Sequence, residues 1–96
     1  MTRAAALRIV LADDHPVVRL GVRNLLAAQP DFVVVGEAAD GDEAVALIRE
    51  VHPDVLLLDL SMPRMPGLDA LRELTDAAPY LRTILLTSEI QKRQVI

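Results

Sequence analysis

The stretch PDVLLLDLSMP, residues 53–63, decides the fold. Val55, Leu56, Leu57 and Leu58 are the most apolar run in the chain. The run is too short for a helix, and Pro53 before it and Pro63, Pro66 and Gly67 after it confine it to one extended segment. A run this apolar suits a strand buried on both faces. The sequence therefore predicts a central strand over residues 54–58, with the carboxylate of Asp59 left at its C-terminal end.

Upstream, Leu7–Ala12 (LRIVLA) is a second short apolar run that stops abruptly at Asp13 and Asp14. His15 and Pro16 follow, and proline is favoured at a first helical position. Val18, Val22, Leu25 and Leu26 then recur at helical spacing as far as Gln29 and Pro30. Residues 31–37 (DFVVVGE) read as a strand through their β-branched content. Asp40, with Glu43 after it, is a capping signal for a second helix reaching about Val51. His52 and Pro53 end that helix, because the residue before proline avoids helical angles. Downstream, Leu68, Leu71 and Leu74 mark a third helix ended by Pro79. Residues 83–86 (TILL) form a fourth strand, with the hydroxyls of Thr87 and Ser88 beyond it. Strands alternating with helices through short loops call for a parallel sheet with helices on both faces, since right-handed crossovers place them there.

Composition narrows the function. Ninety-six residues, 52% of them hydrophobic, suit one small domain with an aliphatic core. Fourteen acidic against ten basic residues leave a net charge of −4, so the basic footprint of a nucleic-acid surface is missing, and any DNA contact must come from another domain. No apolar run approaches the roughly 18 residues of a membrane span, and the N-terminus lacks the apolar core of a signal peptide. With no cysteine, disulfides and thiolate metal sites are excluded, and a cytoplasmic location is expected.

Ligands of open parallel sheets bind outside the C-terminal ends of the strands. Those ends carry Asp13 and Asp14, Asp59, and Thr87 with Ser88. Carboxylates crowded together repel unless one is protonated or a cation neutralises them, and hard oxygen donors suit Mg²⁺. Any one of these aspartates alone reads more simply as a cap or turn former. Their occurrence at equivalent strand ends points to a metal-assisted phosphoryl-transfer site. His15 reads as a helix-start residue, His52 as a loop residue, and Met62 and Met65 as loop packing. Arg19, Arg23, Arg49 and Arg72 read as solvated helix faces, with Arg19 and Arg23 weak candidates for contact with another protein.

The segments IVLADDHPVVRLGVRNLL, VVGEAADGDEAVALI, PDVLLLDLSMPRMPGLDALREL and TILLTSE together resemble a bacterial response-regulator receiver domain. The closest likeness is to the subgroup that precedes a LuxR/FixJ-type (NarL-like) helix-turn-helix domain. The resemblance covers nearly the whole chain. It implies a flavodoxin-like sheet in the order 2-1-3-4, and a phosphoryl group accepted by Asp59 from the phosphohistidine of a sensor histidine kinase. It also implies Mg²⁺ held by Asp14 directly, by Asp13 largely through water, by Asp59 and by the Ser61 backbone carbonyl. Thr87 would be the hydroxyl that bonds the phosphoryl group and draws the fourth strand inward. A haloacid-dehalogenase-type phosphatase would need a second aspartate where Ser61 stands, and a dinucleotide site would need glycines where Asp-Asp-His-Pro stands.

The chain departs from the family pattern at its C-terminal end. A fifth strand with a phosphate-pairing lysine and a fifth helix are expected and not found. Lys92, the one lysine, falls in the opening turns of a helix signalled by Ser88 and Gln91. Residues 1–96 are therefore expected to be a receiver domain incomplete at its C-terminus, with no output domain in this chain. Edge pairing or domain swapping into a homodimer is expected to cover the fourth strand. The alternative for the short form is an interaction module that cannot switch.

Overall fold

The computed structural model describes residues 6–59, 72, 73, 76 and 78–86. Within them the order is β1 (Leu7–Ala12), α1 (Pro16–Ala27), β2 (Phe32–Ala38), α2 (Gly41–Val51), β3 (Val55–Asp59) and β4 (Arg82–Leu86). The strands form one parallel sheet in the order β2-β1-β3-β4, the flavodoxin-like order expected from sequence. Arg72, Glu73 and Asp76 are helical, in the stretch where leucine spacing predicts a third helix. Leu68, Leu71 and Leu74 lie outside the described residues, as does the helix expected from Ser88.

The element ends follow local chemistry. β3 extends to Asp59, which pairs with Leu86, so the acidic residue belongs to the sheet rather than to the loop after it. α1 stops at Ala27 rather than at Gln29, because the amide of Gln29 turns back to the Leu26 carbonyl at 3.0 Å. The capping signal of α2 is realised: Asp40 accepts from the Glu43 amide at 2.9 Å. Glu43 reaches past the cap and accepts from the Ala39 amide at 3.2 Å. His52 closes α2 in the left-handed region, at φ 49°.

Alternation along the strands divides the core in two. Val10 and Ala12 of β1 and Leu56 and Leu58 of β3 face α2, where they pack on Ala44, Val45 and Ile48. Ile9, Leu11, Val55 and Leu57 face the other way, toward Val22 and Leu26 of α1. The two faces are unequally filled. α2 buries four residues, whereas α1 buries none. The apolar stripe expected of α1 is only half used: Val22 and Leu26 touch the sheet, while Val18 is 51% and Leu25 72% exposed. The helix is turned so that Arg19, rather than Val18, sits over the sheet with Val22 and Leu26.

β2 carries an irregularity that alternation alone does not predict. Ile9 pairs with Val34 but Val10 pairs with Gly36, leaving Val35 as an inserted residue. Val35 packs on the α2 side, and a Cβ on Gly36 would lie 2.6 Å from Leu47 Cδ2 of α2, so consecutive residues address the same face. The alternation is reset by one step. Glu37 then projects toward α1 and Ala38 into the α2-side core.

Candidate functional site

The paired strands β1 and β3 end side by side. Ala12 is in register with Leu58, so Asp13 and Asp59 are the next neighbours along the two chains. Both continue the series that faces α1, Ile9-Leu11-Asp13 and Val55-Leu57-Asp59. Each is only 7% exposed. Two carboxylates withdrawn from water at adjacent strand ends repel each other and lose hydration, a cost that cations or donors must offset.

Asp13 is held at three points. Its amide donates to the Ala38 carbonyl at 2.9 Å, which continues the pairing of β1 with β2. Its carbonyl accepts from Arg19 Nη1 at 2.7 Å. Its Oδ1 accepts from the His15 amide at 2.8 Å, an Asx-type turn that leads the chain into α1. Arg19 is in turn fixed by Glu37 of β2, Nε to Oε1 at 3.1 Å, and the second Glu37 oxygen accepts from Arg23 Nη1 at 3.0 Å. The reading of Arg19 as a solvated helix residue is thereby corrected, since it is largely covered and joins α1 to β2; Arg23 is exposed, as expected, and shares the same carboxylate. Arg49 pairs with Glu73 at 2.9 Å on the surface, and Arg72 is exposed, as expected.

His15 is the N-cap residue of α1, in keeping with its reading as a helix-start residue, but its side chain makes no capping bond. Its Nδ1 lies 3.2 Å from Asp13 Oδ1, 2.9 Å from Asp14 Oδ1 and 3.5 Å from Asp59 Oδ2. The hydrogen bond to Asp13 and the charge of Asp14, with smaller contributions from the charges of Asp13 and Asp59, raise its pKa above the ordinary 6.5, against a partial loss of hydration. The approach to Asp14 is that of an ion pair and not an aligned hydrogen bond. Asp14 Oδ1 is thus buried without a hydrogen-bond partner among the described residues.

A buried carboxylate oxygen with only an ion-pair neighbour among the described residues has the chemistry to serve as a cation ligand. One donor atom from each of Asp13, Asp14, His15 and Asp59 can be chosen so that all lie within 4.8 Å of one another. Three carboxylates are hard donors of the kind Mg²⁺ takes, one or two directly and the rest through water. The residues present therefore fit that ion. Ser61 and Thr87, the other expected site residues, lie outside the described residues.

Comparison with known proteins gives the family. The family model of the response regulator receiver domain matches residues 9–96. The chain belongs to that family. This receiver domain is 48% identical over 90 residues to the uncharacterized transcriptional regulatory protein YhcZ of Bacillus subtilis (strain 168), a match covering 94% of this chain and 42% of that protein. The receiver domain thus spans less than half the length of that relative. Among solved structures it is similar to the signal receiver domain of the putative response regulator NarL from Mycobacterium tuberculosis, with a TM-score of 0.82 and 38% identity, covering 88% of this chain and 68% of that one. It is also similar to a two-component response regulator of the LuxR family from Aurantimonas sp. SI85-9A1, with a TM-score of 0.80 and 41% identity, covering 86% and 59%. The chain is therefore a signalling domain of two-component response regulators, related to the LuxR and NarL groups. Receiver domains generally bind Mg²⁺ at the acidic pocket, and this chain has the acidic cluster. No helix among the described residues is long and apolar enough to cross a membrane.

Sequence reasoning missed the direction of the His15 side chain and the Arg19–Glu37 pair. The available signal was positional. Arg19 lies one turn into the helix that starts at Pro16, within reach of the carbonyls that end β1. Glu37 gave no comparable sign, because simple alternation along β2 turns it away from α1.

Proposed function

We propose that this receiver domain accepts a phosphoryl group on Asp59 from the phosphohistidine of a sensor histidine kinase, and that the acyl phosphate so formed controls a transcriptional output domain. The observation that carries this reading is the position of Asp59. It is a nearly buried carboxylate at the end of the central strand, beside a second carboxylate and within a donor set suited to a divalent cation.

In the reaction an Asp59 oxygen attacks phosphorus as the N–P bond of the phosphohistidine breaks, and the electron pair leaves with the imidazole. The strand end fixes the nucleophile, so little motion is needed to reach an in-line approach. Asp14 would hold Mg²⁺ directly, Asp13 mainly through water, and Asp59 and the Ser61 carbonyl would complete the protein's share. Bound there, the ion supplies neutralisation of the charge shared by carboxylates and phosphoryl oxygens. Thr87, one residue beyond the end of β4, would bond a phosphoryl oxygen and draw β4 inward, which is the switching movement.

Residues 1–96 act in this reading as the receiver unit of a cytoplasmic transcription regulator, with DNA contacted only by an output domain outside this stretch. β4 is the edge strand among the described residues and leaves Ile84 half exposed, which suits self-association through that edge, as a homodimer or by domain swapping. No observation favours the non-switching module.

The test is intact mass after incubation with acetyl phosphate and Mg²⁺. The chain should gain one phosphoryl group, and Asp59→Asn should gain none. Equal labelling of both would remove Asp59 from this role.

A further inference from the structure

We propose that Arg19 is a positioning residue of the acidic pocket: anchored by Glu37, it grips the Asp13 carbonyl and thereby sets the place of the carboxylates that receive the divalent cation. The inference rests on the reading of the pocket as a cation and phosphoryl site, and extends it to residues outside the donor set.

The turn Asp13-Asp14-His15 carries three of the four candidate donors, and among the described residues α1 gives it little cover. The N-cap side chain makes no capping bond, the first turn of α1 has no acidic residue, and no residue of α1 is fully buried, with Val22 and Leu26 only partly covered by the sheet. Among the described residues, the turn after the Asp13 amide is shaped from within by the His15 amide and imidazole, at 2.8 and 3.2 Å from Asp13 Oδ1, and from α1 by the bonds of the Arg19 amide to the His15 carbonyl and of Arg19 Nη1 to the Asp13 carbonyl, at 2.9 and 2.7 Å. The Arg19 Nη1 bond is charge-assisted and the shortest of these.

A guanidinium suits this task because it is planar and presents several donors in fixed directions. Nη1 meets the Asp13 carbonyl while Nε meets Glu37 Oε1 at 3.1 Å, so one rigid group spans the β1–α1 turn and β2. Glu37 is available only because the irregularity at Val35 turns it toward α1. Rotation of the Asp13 carbonyl would carry the Asp14 backbone with it, and Asp14 Oδ1 is the buried oxygen left without a hydrogen-bond partner among the described residues. A lysine would keep the charge but offer one point of contact, and could not span both acceptors in this geometry.

The test compares Mg²⁺ binding by isothermal titration calorimetry in the wild-type chain, Arg19→Lys, Glu37→Gln, the double variant, and Arg49→Lys as a control on the other side of the sheet. Thermal unfolding is followed in parallel. Arg19→Lys should weaken Mg²⁺ roughly tenfold, in line with other residues that orient metal ligands. Glu37→Gln should weaken it by a smaller factor, and the double variant no more than Arg19→Lys alone, because the two act through one contact. Arg49→Lys should bind as the wild type does. A lowered melting temperature with an unchanged Mg²⁺ dissociation constant in both single variants would overturn the inference, leaving Arg19 only structural. So would additive losses in the double variant, or a wild-type chain that binds no Mg²⁺. If Arg19→Lys does not fold, Glu37→Gln still decides the matter, since it leaves Arg19 in place and removes its anchor. Phosphoryl labelling of Asp59 is scored separately, so the phospho-acceptor reading can fail while the Mg²⁺ comparison stands.

Discussion

His15 sits where three negative side chains converge, with its Nδ1 within 3.5 Å of an oxygen of each. Its raised pKa means that the folded chain holds the imidazole proton more tightly than the unfolded chain does. In metal-free protein the resulting stabilisation is fully present below pH 6.5 and is lost as pH rises through the higher folded value. A histidine-selective NMR titration should accordingly give His15 a midpoint above 6.5, and Asp13→Asn should move it down, because the hydrogen bond to Asp13 is the largest cause of the shift. A midpoint that ignores the substitution would show that the imidazole does not face Asp13 in solution. The carboxylates of this cluster were legible in the sequence, since a polar residue that ends an apolar strand must lie at the sheet's edge. The imidazole was not. A histidine before a proline at a helix start has many rotamers open to it, and only the neighbouring strand end determines which one meets three acceptors.

At the level of elements, the strands and α2 were readable because their signals are local. An apolar run bounded by breakers has few alternatives to a buried strand, and Asp40 with Glu43 supplies both halves of a cap. Asp40→Ala should cost about 1 kcal/mol in urea unfolding, the usual value of a helix cap, without altering the slope of the transition. A loss near zero would mean that the α2 amides find other acceptors. α1 was readable in position but not in rotation. Its apolar residues cover more of the helix circumference than the sheet uses, so periodicity could not say which stripe is buried. The answer depends on Arg19, whose two acceptors belong to β2 and to the preceding turn, and no pattern within the helix encodes them.

For the whole molecule, the sheet separates two unequal halves. The α2 side holds the larger core, with Val10, Ile48, Leu56 and Leu58 fully buried, and carries most of the aliphatic packing seen among the described residues. The α1 side is thinner and ends in the acidic site. Stability and chemistry are thus largely assigned to opposite faces of one sheet; the parallel sheet with helices on both faces was expected from the alternation of strands and helices, and its order from the family resemblance. The inserted residue in β2 was not foreseen, because β-branched content identifies a strand without fixing its phase. Its presence makes the length of β2 more critical than its composition. Val35→Ala should cost about 1–2 kcal/mol as a trimmed, partly buried side chain. Inserting one alanine between Gly36 and Glu37 should instead abolish cooperative unfolding, by turning the Glu37 carboxylate into the α2 core and Ala38 out of it, whereas deleting Val35 would only regularise the strand and leave both on their present faces. A cooperative transition in the insertion variant, seen by circular dichroism, would refute this. In evolutionary terms, the doubled residue is a codon this strand can lose without harm to its facing, whereas gain of one more after Gly36 would interchange its dry and charged sides at a stroke.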